Sequence, residues 1–570
     1  MENQKYTNRD AFIMAHKQQN SNSKLDEKPT PPDTQQPSTE NATLEPEMEL
    51  LESDKRLSEC MLWEIGEKFY DTIGIDAWNT IPFYPTCNAY IGRTYAEMIL
   101  SFLLDYLKDI DKNHPVYIIE MAAGSGGLCF YVTKELLKRK AHFSVLNDVH
   151  FIYVATDFAE KNVKSWEANP KFKPFIEQNV LDFAVFRPED ESELFLRRQQ
   201  KRLTAHEIKN PIITLANYFF DTIRHDLFRI DAGEFYEGRV NFYRELNESN
   251  RHSLANLNDL KKTEHFHSAS TNYYQNPKWN EILHQYQNMF QNASILFPMS
   301  AMKCIDRLLQ LSNKKLVLIS SDKGFTWSDY MENHWEQHYS IDGSFSFMVN
   351  FHAIGLYFTN QGGLFYSTAD RNVCLSTVMG IFIEGVDYNQ FANSNYYFKE
   401  KVDNENPINS LYYVQDLMHN AKTEKPETLF NAYMSLLHLT NNDPIVFYFI
   451  GNPIYTMFKD LTFSQRHALH ESMNKVFDNF FTIGHNFNTL SWLGMLYYAL
   501  DCYDQCLATF EQSINVFGAD SSSLYYIAAC NEVLGNYERS LDYYQKTLTL
   551  DPDCPLTQSG IDRMSKALRS

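Results

Sequence analysis

The stretch Ile118-Ile119-Glu120-Met121-Ala122-Ala123-Gly124-Ser125-Gly126-Gly127 decides how this chain is read. The β-rich run Val116-Tyr117-Ile118-Ile119 ends in an acid and enters a glycine-rich turn. Residues 128–140 then carry a helical pattern that closes on Lys138-Arg139-Lys140, cations at the negative pole of a helix dipole. Glycines allow a tight turn and let a ligand approach backbone N–H groups closely. Such a turn alone also serves dinucleotide enzymes. Glu120 changes the chemistry. A carboxylate beside the turn repels a pyrophosphate, whereas it suits the ammonium of a methionine-like ligand beside a sulfonium.

Working outward, Ile152-Tyr153-Val154-Ala155-Thr156 reads as a second strand ending at Asp157, followed by a helix over 159–167. A carboxylate at Asp157 can accept hydrogen bonds from both hydroxyls of a ribose; the competing reading is a helix N-cap. A short strand is expected near 178–181, after which Asp182 and Phe183 offer an acid and a ring beside an adenine, or a turn. Ile212-Ile213-Thr214-Leu215-Ala216 and Leu316-Val317-Leu318-Ile319-Ser320 are further strands, and 345–358 and 375–383 read as closing strands. Strands alternating with helices predict βαβ units and a mainly parallel sheet, with ligands at the strands' carboxyl ends.

These motifs, in this order, resemble the class I S-adenosylmethionine-dependent methyltransferases, and within them the MidA-type family. That family's Glu-x-Gly-x-Gly-x-Gly is matched by Glu120, Ala122, Gly124 and Gly126, its second-strand acid by Asp157, and its Asn-Glu-x-x-Asp by Asn217-Tyr218-Phe219-Phe220-Asp221. Ala122 replaces the first glycine and Tyr218 the glutamate. The resemblance implies a Rossmann-like α/β fold and S-adenosyl-L-methionine as cofactor. Glu120, Ala122, Gly124, Gly126, Asp157, Asp182 and Phe183 would hold it. Asn217 and Asp221 would be the catalytic pair, with Phe219, Asn350 and His352 on the substrate side. No metal is expected. His265-Phe266-His267 has no cysteine nearby.

The last 80 residues repeat themselves. Leu490 aligns with Leu524, Tyr503 with Tyr537, Leu507 with Leu541 and Phe510 with Tyr544, a period of 34. This is the tetratricopeptide pattern, an all-α region whose helices make concave peptide-binding surfaces. Cys502 and Cys506, one helical turn apart, are then core residues. The expected domains are a disordered polar tail over 1–50 and a methyltransferase-like domain over 51–390, with a helical cap at 51–112 and an insertion at 241–292. A linker with helices follows over 391–442, then a helical domain over 443–570 with repeats at about 487–520 and 521–554.

Composition narrows the function further. The 570 residues carry a net charge of −21, which disfavours nucleic acid and anionic membrane surfaces. No apolar run is long enough to span a bilayer, and the N-terminus lacks a secretory h-region. Nine scattered cysteines without a CxxC pair fit a reducing, cytoplasmic setting. The expected function is methylation of a protein side chain, with the repeats binding the substrate or a partner. The alternative is a methyltransferase-like scaffold that has lost its chemistry. A nicotinamide-dependent enzyme would need G-x-G-x-x-G, and Cys129 stands at the third position.

Overall fold

A computed structural model describes residues 48–81, 83–245, 260–332, 340–341, 345–369, 373–403, 426–484 and 487–569. The tail assigned to 1–50 lies outside these residues up to position 47.

Seven strands form the central sheet: β1 (Val116–Met121), β2 (Phe151–Asp157), β3 (Leu181–Val185), β4 (Ile212–Asn217), β5 (Lys315–Asp322), β6 (Leu364–Ser367) and β7 (Ser376–Ile383). Their spatial order is β6-β7-β5-β4-β1-β2-β3. The pairs β5–β4, β4–β1, β1–β2 and β2–β3 are parallel, while β7 runs antiparallel to both β5 and β6. The chain order reverses between β1 and β4, the switch point at which α/β sheets bind ligands. Every β1 side chain is buried, as expected for a strand covered on both faces. Val116 and Ile118 face one hydrophobic core, while Tyr117, Ile119 and Met121 face the other. Helices α1 (Ala89–Tyr106), α2 (Gly127–Lys140) and α3 (Glu160–Ala168) cover the first face.

Several sequence expectations give way here. Residues 48–56 are not part of a tail or helical cap but a strand, Met48–Arg56, antiparallel to Glu234–Glu245. With Asp226–Asp231, Leu260–Ser268 and Ala293–Phe297 they build a second, five-stranded sheet, which takes in residues 241–245 and 260–268 of the expected insertion. The strand expected over 345–358 is instead mostly the helix Phe351–Thr359, since a short apolar run has no period to distinguish the two states. The strand placed near 178–181 begins at Leu181, because Asn179 takes a left-handed turn at φ +56°.

The C-terminal region is all-helical: α4 (Pro426–Leu439), α5 (Pro444–Met457), α6 (Phe463–Asn479), α7 (Thr489–Ala499), α8 (Tyr503–Phe517), α9 (Ser521–Val533), α10 (Tyr537–Leu550) and α11 (Pro555–Ala567). Helices α4 to α9 share one core. A Cβ on Gly494 would lie 2.4 Å from the Phe510 ring, so the small residue lets α7 and α8 close together. Cys506 is buried in that core, whereas Cys502 is only half-buried and its Sγ lies 3.7 Å from His470 Nε2. Among the described residues no helix is long and apolar enough to cross a membrane.

Candidate functional site

Pleating sends Glu120 to the same face of β1 as Ile118, into the core beneath α1 and α2. Its Oε2 accepts a 2.8 Å hydrogen bond from the Tyr153 hydroxyl of β2. Burial pushes the Glu120 carboxyl up to about 8, against the hydrogen bond from Tyr153, so the group is neutral at pH 7. A neutral acid fits a hydrophobic enclosure. A cation docking beside it would favour the carboxylate.

The turn after β1 is pinned to β2. Ala123 N–H donates to the Thr156 carbonyl (2.8 Å) and Gly124 N–H to Asp157 Oδ2 (3.1 Å). Asp157 Oδ2 also accepts from Asn162 Nδ2 (3.1 Å), and Oδ1 from Ala159 N–H (2.9 Å). With the Phe158 N–H also directed at it, the carboxylate is held by backbone and side-chain donors on both oxygens. Burial raises the Asp157 pKa despite these donors. Gly124 and Gly126 sit at φ +53° and +76°, where a side chain is strained. A Cβ on Gly124 would meet Trp78 Cζ2 at 2.4 Å, and one on Gly126 would meet Trp166 Cδ1 at 3.0 Å. Trp78 therefore lies directly on the glycine turn.

Both departures from the family pattern occupy left-handed backbone. Ala122 has φ +50° and Tyr218 φ +46°, each one residue beyond the end of its strand, on neighbouring strands at the switch point. Such conformations cost a non-glycine residue about 1 kcal/mol or more and cluster at functional sites.

Asn217 is held rigidly. Its Oδ1 accepts from the Tyr95 hydroxyl and from Ser321 N–H (3.2 Å), and its Nδ2 donates to the Thr86 carbonyl (2.9 Å). Tyr95 also hydrogen-bonds Ser321 Oγ (2.7 Å), which meets Thr377 Oγ1 at 2.7 Å. Asp221 is buried beside Asp322 at the end of β5, its N–H donating to Asp322 Oδ2 (3.2 Å). Burial raises both carboxyls, with mutual repulsion adding to Asp322, while Lys323 opposes the rise.

The remaining candidates lie in other surroundings. Asp182 is fully buried in β3 and anchors a loop: Oδ1 accepts from Phe183 N–H (2.7 Å) and Arg198 N–H (2.8 Å), Oδ2 from Gln199 N–H (3.1 Å). Phe183 packs in the core against Phe172 and Trp166. Phe219 is buried against Phe220. Asn350 caps the helix Phe351–Thr359 through Ala353 N–H (2.9 Å), and His352 Nδ1 lies 3.0 Å from the Tyr286 hydroxyl. The structure thus gathers Glu120 and Asp157, from two neighbouring strands, around the turn that holds Ala122, Gly124 and Gly126, and joins Asn217 to it through Thr86 and its neighbour Cys87. Trp78, Tyr95 and Tyr153 are not singled out by the sequence reading. Of these, Tyr153 carries a local signal, four residues before the strand-end Asp157. Among the described residues no group of three His, Cys, Asp or Glu is placed to hold a metal.

No protein-family model matches the chain, and no curated protein matches it. Solved structures do. A "likely methyl transferase from Burkholderia thailandensis bound to S-adenosyl-homocysteine" is 12% identical, with 59% of this chain and 95% of that one covered and a TM-score of 0.34. YrrB, a TPR protein with an unusual peptide-binding site, is 12% identical over 31% of this chain and 83% of that one, at a TM-score of 0.24. MamA from Desulfovibrio magneticus is 16% identical over 28% of this chain and 85% of that one, also at 0.24. These scores are low, and the likenesses bear on neither function nor substrate.

Proposed function

We propose that the chain binds S-adenosyl-L-methionine at the turn between β1 and α2 and transfers its methyl group to a protein side chain. The observation that carries this reading is the pair of buried acids, Glu120 and Asp157, flanking one glycine turn at the switch point of the sheet. The residues fit the cofactor's chemistry. Glu120 would accept the amino-acid ammonium, giving up its proton as it does so. Asp157, at the end of β2, would accept a ribose hydroxyl in exchange for one of its present donors. The cofactor, when bound, supplies an electrophilic methyl on a sulfonium. Asn217, fixed by Tyr95 and Ser321, would orient the acceptor, and the Asp221–Asp322 pair would hold or take up its proton. The helical repeats would bind the protein substrate or a partner that presents it, in keeping with the concave surfaces such repeats form.

A second reading, a methyltransferase-like scaffold without turnover, draws support from Trp78 against Gly124 and from the left-handed Ala122 and Tyr218. Incubating the full chain with methyl-labelled S-adenosylmethionine and a protein extract tests the choice. Label appearing on protein with the wild type, and not with Asp157→Ala, supports the enzyme. Cofactor binding with no label transferred favours the scaffold.

A further inference from the structure

The glycine turn is covered from two directions, and both covers are tied to the C-terminal helices. Trp78 lies on Gly124, where a Cβ would fall 2.4 Å from its ring. Gly127 is enclosed by Cys87 Sγ and Ile483 Cδ1, at 2.7 and 2.6 Å from the same hypothetical atom. Trp78 and Cys87 belong to the stretch leading into α1, while Ile483 belongs to the segment joining α6 to α7.

That approach to α1 is clamped at each end by the helical module. At one end, a Cβ on Gly484 would meet the Trp78 carbonyl at 2.9 Å and Asn79 Oδ1 at 3.0 Å. At the other, Asp443 Oδ2 accepts from Ala89 N–H (2.8 Å) while its Oδ1 caps α5 through Ile445 N–H (2.9 Å) and Val446 N–H (3.2 Å). One buried carboxylate thus caps two helices from two domains. Asn441 Nδ2 donates to the Ala89 carbonyl (3.1 Å), and Arg93 donates to the Leu439 carbonyl (3.1 Å). Between the clamps, Thr86 accepts from Asn217 at the end of β4. The joining segment is in turn wedged between the two domains: Phe481 stacks on Phe130 of α2 at 5.0 Å, and Phe480 meets Phe517 of α8 at 6.4 Å.

We propose that the helical module acts as a gate on the glycine turn, holding the approach to α1 down over residues 124–127 so that the turn opens only when the module releases it. The ligand that this gate admits rests on the cofactor reading above; the mechanical coupling does not. A partner that shifts α8 against Phe480 would pull on the segment carrying Ile483, linking occupancy of the repeats to access at the turn.

Hydrogen exchange measured by mass spectrometry on the full chain tests the coupling, with peptides covering 83–89 and 122–128 and a control peptide in β5. Two variants loosen the gate from the module's side: Asp443→Asn weakens the shared cap, and Ile483→Ala removes the contact on Gly127 without touching a helix cap. Exchange about tenfold faster at both 83–89 and 122–128, with β5 unchanged, is the expected result for either variant. Faster exchange at 83–89 with the turn still at its wild-type rate overturns the gate. If Asp443→Asn loosens the whole helical region, Ile483→Ala decides. The same variants are titrated with S-adenosylhomocysteine. Coupled exchange with tighter binding upholds gate and cofactor together, and coupled exchange with no binding by any variant upholds the gate while refuting the cofactor. Binding by the wild type without coupled exchange refutes the gate alone.

Discussion

Replacing Glu120 by glutamine should flatten the dependence of stability on pH. The carboxyl is 3% exposed, accepts one hydrogen bond from Tyr153 and is pushed from 4.5 up to about 8 by burial. Because the folded value lies above the unfolded one, the stability this group permits is fully present below pH 4.5 and is lost as pH rises through about 8. The shift amounts to roughly 5 kcal/mol in all, of which roughly 4 kcal/mol falls between about pH 5 and about pH 8.5. Glu120→Gln removes the titration and keeps an acceptor for Tyr153, so other groups titrate alike in both chains. Urea unfolding of each, followed across that range, yields the difference directly. The wild type should lose at least about 2 kcal/mol more than the variant, allowing for relaxation around the ionised group. Parallel profiles would show that Glu120 is hydrated or paired in the folded chain, and the reasoning would fail.

Three further substitutions separate strain, anchoring and packing. Ala122→Gly relieves a left-handed alanine and should raise the urea midpoint by the equivalent of about 0.5 kcal/mol, the relief being partly offset by glycine's entropy; a loss would mean that φ +50° is not strained here. Asp182→Ala leaves three backbone N–H groups without their acceptor and should cost about 2–4 kcal/mol, read from the unfolding midpoint. An unchanged midpoint would return Asp182 to the candidate ligand contacts. Gly494→Ala drives a methyl into the Phe510 ring and should destabilise the helical region by about 1–3 kcal/mol, visible as an earlier loss of helical circular dichroism.

What the sequence reveals and what it hides follow from the range of the interactions involved. The turn around Glu120 is legible because strand, acid, glycines and helix are contiguous, and the repeat is legible because Phe510 and Tyr544 recur at a fixed spacing. Met48–Arg56 is illegible as a strand. Its charged, half-exposed side chains alternate weakly, and the partner strand that stabilises it begins at Glu234. Phe351–Thr359 is too short and too uniformly apolar for its period to speak. Trp78 sits on a turn more than forty residues away, a contact created by the fold alone. The same holds for Asp182: its identity suggested a ligand contact, and its partners at Arg198 and Gln199 come from a loop that only tertiary structure brings back.

The central claim is that Glu120 and Asp157 frame a site for a sulfonium nucleoside. Calorimetric titration of the full chain with S-adenosylhomocysteine at pH 7, in two buffers of different ionisation enthalpy, tests it most directly. A ligand ammonium docking on a carboxyl whose free value is about 8 must displace its proton. Saturable binding should therefore release about 0.9 proton, and Asp157→Ala should weaken it at least about tenfold. Absence of binding heat from both the wild type and Ile483→Ala, with the turn of the variant shown to be open, would contradict the claim.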